Sequence, residues 1–302
     1  MRFSDIQFPM ATELRPIKQI IRPEPTVEGA GVHLVRTIGT RQLTNLDPFL
    51  LLDHFESSVP ADYRAGFPFH PHRGIETVTI LRAGQVRHGD SLGHKGTIEG
   101  GGIQWMTSGS GILHEEMPVV QPGGISGLQL WLNLPAREKM TRPKYRDLRA
   151  DQLATRITDD GAKLRVIAGE ADDGRVQGPV VGLSVAPKFI DVTLPHGSIF
   201  REQVPAGHTA FAYVDRGEVS FGADDALRPV AGPALVVFGD GDMVRAKGSA
   251  KSGGRFLLAA ARPIGEPIAR YGPFVMNTPK EIEETLDELR TGRFIREEAS
   301  GS

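Results

Sequence analysis

The sequence predicts an all-β protein of two related halves, and three observations carry that prediction. Glycine and proline, 36 and 22 of 302 residues, are spread along the whole chain rather than gathered in a linker. Between them lie short apolar runs that alternate with the period of two expected of strands, a pattern typical of sandwiches and barrels. The segment RAGQV at 82–86 is echoed by DRGEV at 215–219, a strand–turn–strand corner repeated 133 residues later. Duplication of one barrel is the simplest account of such an echo.

The elements follow in order. ETVTIL at 76–81 alternates before a turn at Ala83-Gly84. SGLQLWL at 126–132 places Leu128, Leu130 and Leu132 on one face and Gln129 and Trp131 on the other. LPAREKMTRP at 134–143 holds prolines, charges and at most one helical turn, and reads as the crossing between halves. The barrels are accordingly assigned to 1–146 and 147–302. In the second half, 163–168, 188–194, 209–214, 234–238 and 255–260 read as strands. A helix closes the chain over 279–291. Thr278 precedes Pro279 and stands three residues before Glu281, which makes a capping box with proline at the first helical position. Ile282, Leu286 and Leu289 form its apolar stripe, which must dock on a barrel, and Gly292 ends it.

Composition narrows the function. A formal net charge of -2, with 24% charged and 39% hydrophobic residues, describes a folded soluble chain. It recommends neither direct nucleic-acid binding nor a membrane partner. The absence of cysteine excludes disulfides, thiolate nucleophiles, Fe–S clusters and cysteine-based zinc sites. MRFSDIQFPMATELRPI lacks the apolar run of a signal peptide, and no stretch approaches the roughly 18 apolar residues of a membrane span. The expected compartment is the cytoplasm.

The chemistry concentrates in the first half. In FPFHPHRGIE, His70 and His72 are two apart, so a strand puts both imidazoles on one face. In GSGILHEEM, His114 and Glu116 are again co-facial, while Glu115 points away. Two such pairs facing inward would set three imidazoles and a carboxylate around one first-row divalent ion. Four protein ligands leave positions open, as catalytic metals require. Buried histidines satisfied by backbone carbonyls would not call for two alternating pairs. Gly100–Gly102 and Gly109-Ser-Gly111 match no phosphate loop and read as tight turns. Trp105 reads as core, and His33, His54, His88 and His94 have no partner at strand spacing.

The runs FPFHPHRGIETVTIL, GHKGTIEGGGIQWMTSGSGILHEEMP, LQLWLNLPAREKMTRPKY and YGPFVMNTPKEI resemble the signature segments of pirins. The resemblance spans most of the chain. It implies a bicupin, two stacked jelly-roll β-barrels of the cupin type, with one iron, Fe(II), in the N-terminal barrel. The family's ligands fall on His70, His72, His114 and Glu116; nickel, cobalt, manganese or copper would suit the same set. Glu76 follows the histidines where many cupins carry a ligand and shares their even parity. The pirin pattern uses Glu116 instead, which leaves Glu76 to orient a ligand histidine. Aligning Gly217 with Gly84 puts Gln203, Pro205 and Thr209 at the positions of His70, His72 and Glu76, so the second barrel is expected to be metal-free.

Pirins resemble bicupin quercetinases, which implies quercetin 2,3-dioxygenase activity on a flavonol-like aromatic substrate and O₂. The flavonol 3-hydroxyl loses its proton, with Glu116 as base, and the heterocycle opens with loss of carbon monoxide. The alternative is an iron-containing redox-sensing regulator that binds a transcription factor or metabolic enzyme. A basic patch would favour that protein partner, but the one basic cluster, 137–144, reads as a solvated linker. A sugar-phosphate isomerase is disfavoured because no Lys/Arg cluster flanks the histidines.

Overall fold

Every strand predicted above forms in the computed structural model, which describes residues 13–296. Lys163–Ala168, Lys188–Leu194 and Ala234–Phe238 have the predicted limits. Ile75–Ala83, Ile125–Asn133 and Gly254–Ala261 extend theirs by one or two residues. The signal-peptide expectation rests largely on residues 1–12, outside the described residues. No helix among the described residues is long and apolar enough to cross a membrane.

The first barrel combines two sheets. The larger runs Lys144–Leu148, Ile103–Thr107, Ile75–Ala83, Ile125–Asn133, Phe49–Ser57, Val32–Ile38, Glu24–Glu28. The smaller runs Phe67–His72, Ile112–Pro118, Gln85–Asp90, Lys95–Glu99. The second half repeats the larger order as Ile17–Ile21, Ala234–Phe238, Thr209–Phe221, Gly254–Ala261, Lys188–Leu194, Lys163–Ala168, Ala154–Ile157. Its smaller set is Ile199–Gln203, Met243–Gly248, the end of Thr209–Phe221, and Arg228–Ala231.

The duplicated corner is legible at atomic level. Gly84 (φ 91°) and Gly217 (φ 72°) occupy left-handed backbone, and a Cβ there would stand 2.8 Å from Gly124 O and 2.5 Å from Gly253 O respectively. Each glycine carbonyl accepts the amide of a second glycine, Gly100 or Gly232, at 2.9 Å. The corners differ in one respect. The first separates two strands, whereas the second, read as a turn, is a bend within Thr209–Phe221 marked by a bulge between Val214 and Arg216.

The sheets depart from a division at residue 146. Ile17–Ile21 pairs with Ala234–Phe238 and completes the second barrel's sheet. Lys144–Leu148 runs past the expected boundary as an edge of the first. The closing helix, Pro279–Arg290, has its capping box, with Thr278 N donating to Glu281 Oε2 at 2.8 Å and Glu281 N to Thr278 Oγ1 at 3.2 Å. It docks on the first barrel, not the second. Arg73, fully buried, donates to Thr285 Oγ1 (3.0 Å), Glu288 Oε2 (2.7 Å) and Ser110 O (2.7 Å), and Leu113 joins the helix's apolar cluster. The 137–144 cluster also departs from a solvated linker. Lys139 is buried, donating to Asn133 Oδ1, Val275 O and Gly74 O at 2.7–3.0 Å.

Three apolar clusters organise the core. One lies between the barrels and contains Val78, Ile80, Trp105, Leu128, Leu130 and Leu132 with Phe189, Phe211 and Leu257. A second fills the second barrel, and a smaller third, around Leu34, Phe55, Val86 and Ile98, fills one end of the first. The leucines of Ile125–Asn133 thus face the neighbouring barrel, which leaves Gln129 and Trp131 to face the interior of their own.

Candidate metal centre

The antiparallel pair Phe67–His72 and Ile112–Pro118 builds the centre. His70 stands opposite His114 and His72 opposite Ile112, and alternation brings all three imidazoles to the inner face. Their ring centroids are 4.4–5.0 Å apart, and one nitrogen from each ring lies within 4.8 Å of the others. His70 Nδ1 lies 2.9 Å from Pro68 O, the arrangement in which Nδ1–H donates and Nε2 keeps its lone pair.

Burial is the leading electrostatic cause here. It holds His72 down to about 3 and His114 well below the usual imidazole value, and the neighbouring rings add to both shifts. Neutral imidazoles are the form that ligates. Both nitrogens of His114 and Nδ1 of His72 are buried without a hydrogen-bond partner. Orphaned buried acceptors are costly, and a cation among them supplies what the protein does not. The donor set fits a divalent first-row ion.

Glu116 lies on the same face as His114 but outside the histidine cluster, beyond a bulge. Thr79 Oγ1 donates to its Oε1 at 3.0 Å and Gln129 Nε2 to its Oε2 at 2.7 Å. His70 and His72 open onto a cavity of about 540 Å³ whose walls include Trp131, Arg36, Arg270 and Pro273. Glu116 lines instead a void of about 20 Å³ that shares Gln129 and Phe67 with that cavity. Trp131 meets His72 edge to face at 5.0 Å, and the Arg270 guanidinium lies 5.0 Å from the Trp131 ring centre. Arg36 is committed to Asp53 through two hydrogen bonds of 2.6 and 2.7 Å.

Glu76 does not meet the parity expectation. Gly74 (φ 78°), where a Cβ would stand 2.0 Å from Val275 O, interrupts the chain between Phe67–His72 and Ile75–Ala83. Parity restarts there. Glu76 shares its strand face with Val78 and Ile80 of the inter-barrel core, and Thr107 Oγ1 donates to it at 2.7 Å. Its partner is a threonine, not a ligand histidine, and burial raises its carboxyl.

Trp105 is core, 5.3 Å from Phe189. His54 is buried at the barrel junction, its Nδ1 3.0 Å from Tyr213 Oη. His88 is also buried, paired across strands with Glu116 and linked to Tyr145 Oη at 2.5 Å. Sequence reasoning assigned no role to Thr79, Gln129, Trp131 or Arg270. For Gln129 and Trp131 the signal was present, because alternation with the leucines sets them on a separate face. Arg270 lies more than 150 residues from each of the histidines in sequence and gave none.

Comparisons with known proteins find relatives along nearly the whole chain. The Pirin family model matches residues 31–132, and the model for the pirin C-terminal cupin domain matches residues 189–295. A pirin-like protein of Caulobacter vibrioides is 43% identical over 93% of this chain and 99% of its own length. Human pirin is 39% identical over 88% of this chain and 89% of its own. The crystal structure of a quercetin 2,3-dioxygenase from Acinetobacter baumannii superposes with a TM-score of 0.82 at 33% identity, covering 93% of this chain and 98% of that one. With two cupin barrels, a histidine centre in the first and relatives matched along nearly their whole length, this chain belongs to the pirin family.

Proposed function

We propose that the chain is a metal-dependent dioxygenase that opens a flavonol such as quercetin between carbons 2 and 3 with release of carbon monoxide. The supporting observation is a cluster of three imidazoles, two of which, His70 and His72, line a cavity of about 540 Å³, inside the 300–1,000 Å³ span usual for small-molecule sites. His70, His72 and His114 would hold Fe(II), with Glu116 as fourth ligand. The bound ion would supply Lewis acidity and redox chemistry toward dioxygen.

The remaining roles belong to the side chains. Glu116 accepts the proton of the 3-hydroxyl, as the carboxylate two residues beyond His114 on the same strand face. Thr79 and Gln129 hold that carboxylate in place. Gln129 lines both the cavity and the void behind it, so it must turn aside for Glu116 to reach the substrate. Trp131 and Leu51 offer apolar wall to the fused rings.

The test is anaerobic loading with Fe(II), followed by quercetin consumption, carbon monoxide release and metal content on one sample. Turnover with about one ion per chain is expected, and Glu116→Gln should keep part of the metal while turnover falls by two to four orders of magnitude, the usual worth of a general base. Full occupancy without turnover in the parent protein would overturn the dioxygenase in favour of the redox-sensing regulator.

A further inference from the structure

A second cavity, about 590 Å³, opens between the barrels. Arg82 lines it from the first barrel, and Arg156, Lys163, Arg165, Asp191 and Arg255 line it from the second. Lys163, Arg165, Asp191 and Arg255 sit on one sheet face in register: Arg165 stands opposite Asp191, and Lys163 and Arg255 both stand opposite Thr193, whereas Arg156 stands opposite Leu164 on the other face. Four cations, Arg82, Lys163, Arg165 and Arg255, therefore meet two carboxylates, Asp191 and Asp215, while Arg156 is taken by Asp172 at 2.7 Å and Asp159 at 3.9 Å.

The pairing is incomplete. Arg82 is only 3% exposed; its Nε donates to Asp215 Oδ2 at 3.0 Å and its Nη1 meets Asp191. Its Nη2 is buried with no acceptor. Arg165 donates to Asp191 Oδ2 and to Gly101 O, both at 2.8 Å. Lys163 is exposed and has no ion-pair partner among the described residues. The glycine run 100–102 contributes a close approach rather than an amide nest. Its three amides are taken by Gly84, Leu81 and Glu99 carbonyls, and a Cβ on Gly101 would stand 3.2 Å from Arg165 Nη1.

We infer that this groove binds a small phosphorylated polyanion, clasped between Arg82 of one barrel and the row Lys163, Arg165 and Arg255 of the other. A buried guanidinium with an unfilled donor calls for an oxyanion acceptor. Donors arriving from two barrels suit a tetrahedral phosphoryl group, which accepts from several directions, better than a planar carboxylate, which favours a single fork. The volume exceeds what one inorganic phosphate needs and lies in the range of metabolite sites. The site is separate from the histidine centre and independent of its chemistry. Because the ligand touches both barrels, its binding stabilises their junction.

The test uses metal-loaded full-length protein with fructose 1,6-bisphosphate as probe and tricarballylate as a carboxylate control, at constant ionic strength. Thermal unfolding and calorimetric titration are read together, with metal content checked before and after. The bisphosphate should raise Tm saturably, and Lys163→Glu should weaken binding about tenfold or more through one lost contact and a new repulsion. Lys95→Glu, an exposed lysine on the smaller sheet of the first barrel, should leave it unchanged. No saturable response, or an equal response in Lys163→Glu, would overturn the site. An equal response to tricarballylate would overturn the phosphoryl assignment.

Discussion

In the first barrel, the strand pair Phe67–His72 and Ile112–Pro118 sets His70 opposite His114. In the second, the equivalent pair Ile199–Gln203 and Met243–Gly248 sets Phe200 opposite Ala246. The strand order around each pair is the same, so the difference lies in what the inner face carries. Gln203, aligned with His70 by sequence, is exposed at a strand end. One interior holds imidazoles, Glu116, Thr79 and Gln129, and the other holds Phe200, Phe221, Phe256 and their aliphatic neighbours. The comparison teaches that the topology tolerates either filling. A barrel can give up part of its own hydrophobic core for a site when its neighbour keeps a full one.

Three substitutions press on that comparison. His72→Ala should have the largest consequence, loss of most bound metal with the barrel still folded, because only the first interior is built from ligands. Metal analysis alongside circular dichroism checks it, and full occupancy in the variant would remove His72 from the centre. Phe256→Ala opens the second interior, where this ring meets Phe200 and Phe221 at 5.4 Å. Urea unfolding should show a loss of about 3–5 kcal/mol, with metal per folded chain unchanged. A coupled loss of metal would show that the barrels do not divide the work.

The smallest effect concerns Lys139, which burial pulls down to about 8 from 10.5. The unfolded chain keeps this proton up to about pH 10.5 and the folded chain releases it near 8, so this group's contribution to stability rises with pH across that window. The slope is at most about 1.4 kcal/mol per pH unit. Lys139→Met should flatten it, as read from denaturation midpoints between pH 8 and 10.5. An unchanged slope would mean the ammonium is solvated after all.

Local signals made much of this legible. The capping box at Thr278, the alternating strands and the two His/Glu pairs depend on neighbours in sequence, and the structure places the helix, the strands and the three histidines accordingly. What escaped was non-local. The run IKQII at 17–21 carries nothing that names Ala234–Phe238 as its partner, because register is fixed by the face a strand must bury, not by the strand alone. Glu76 misled because parity holds only within an unbroken strand, and Gly74 breaks it. Lys139 looked solvated because its three acceptors come from three separate segments.

The exchange of chain ends bears on the order in which the protein can be assembled. During synthesis the segment at 17–21 emerges early but waits for residues 234–238 before it has a neighbouring strand. The first barrel forms its histidine face from residues 67–118, yet Arg73 finds Thr285 and Glu288 only near the end of translation. Neither barrel is finished before the other is under way. A cut at the crossing would therefore yield two fragments that each lack a piece of the other, rather than two domains.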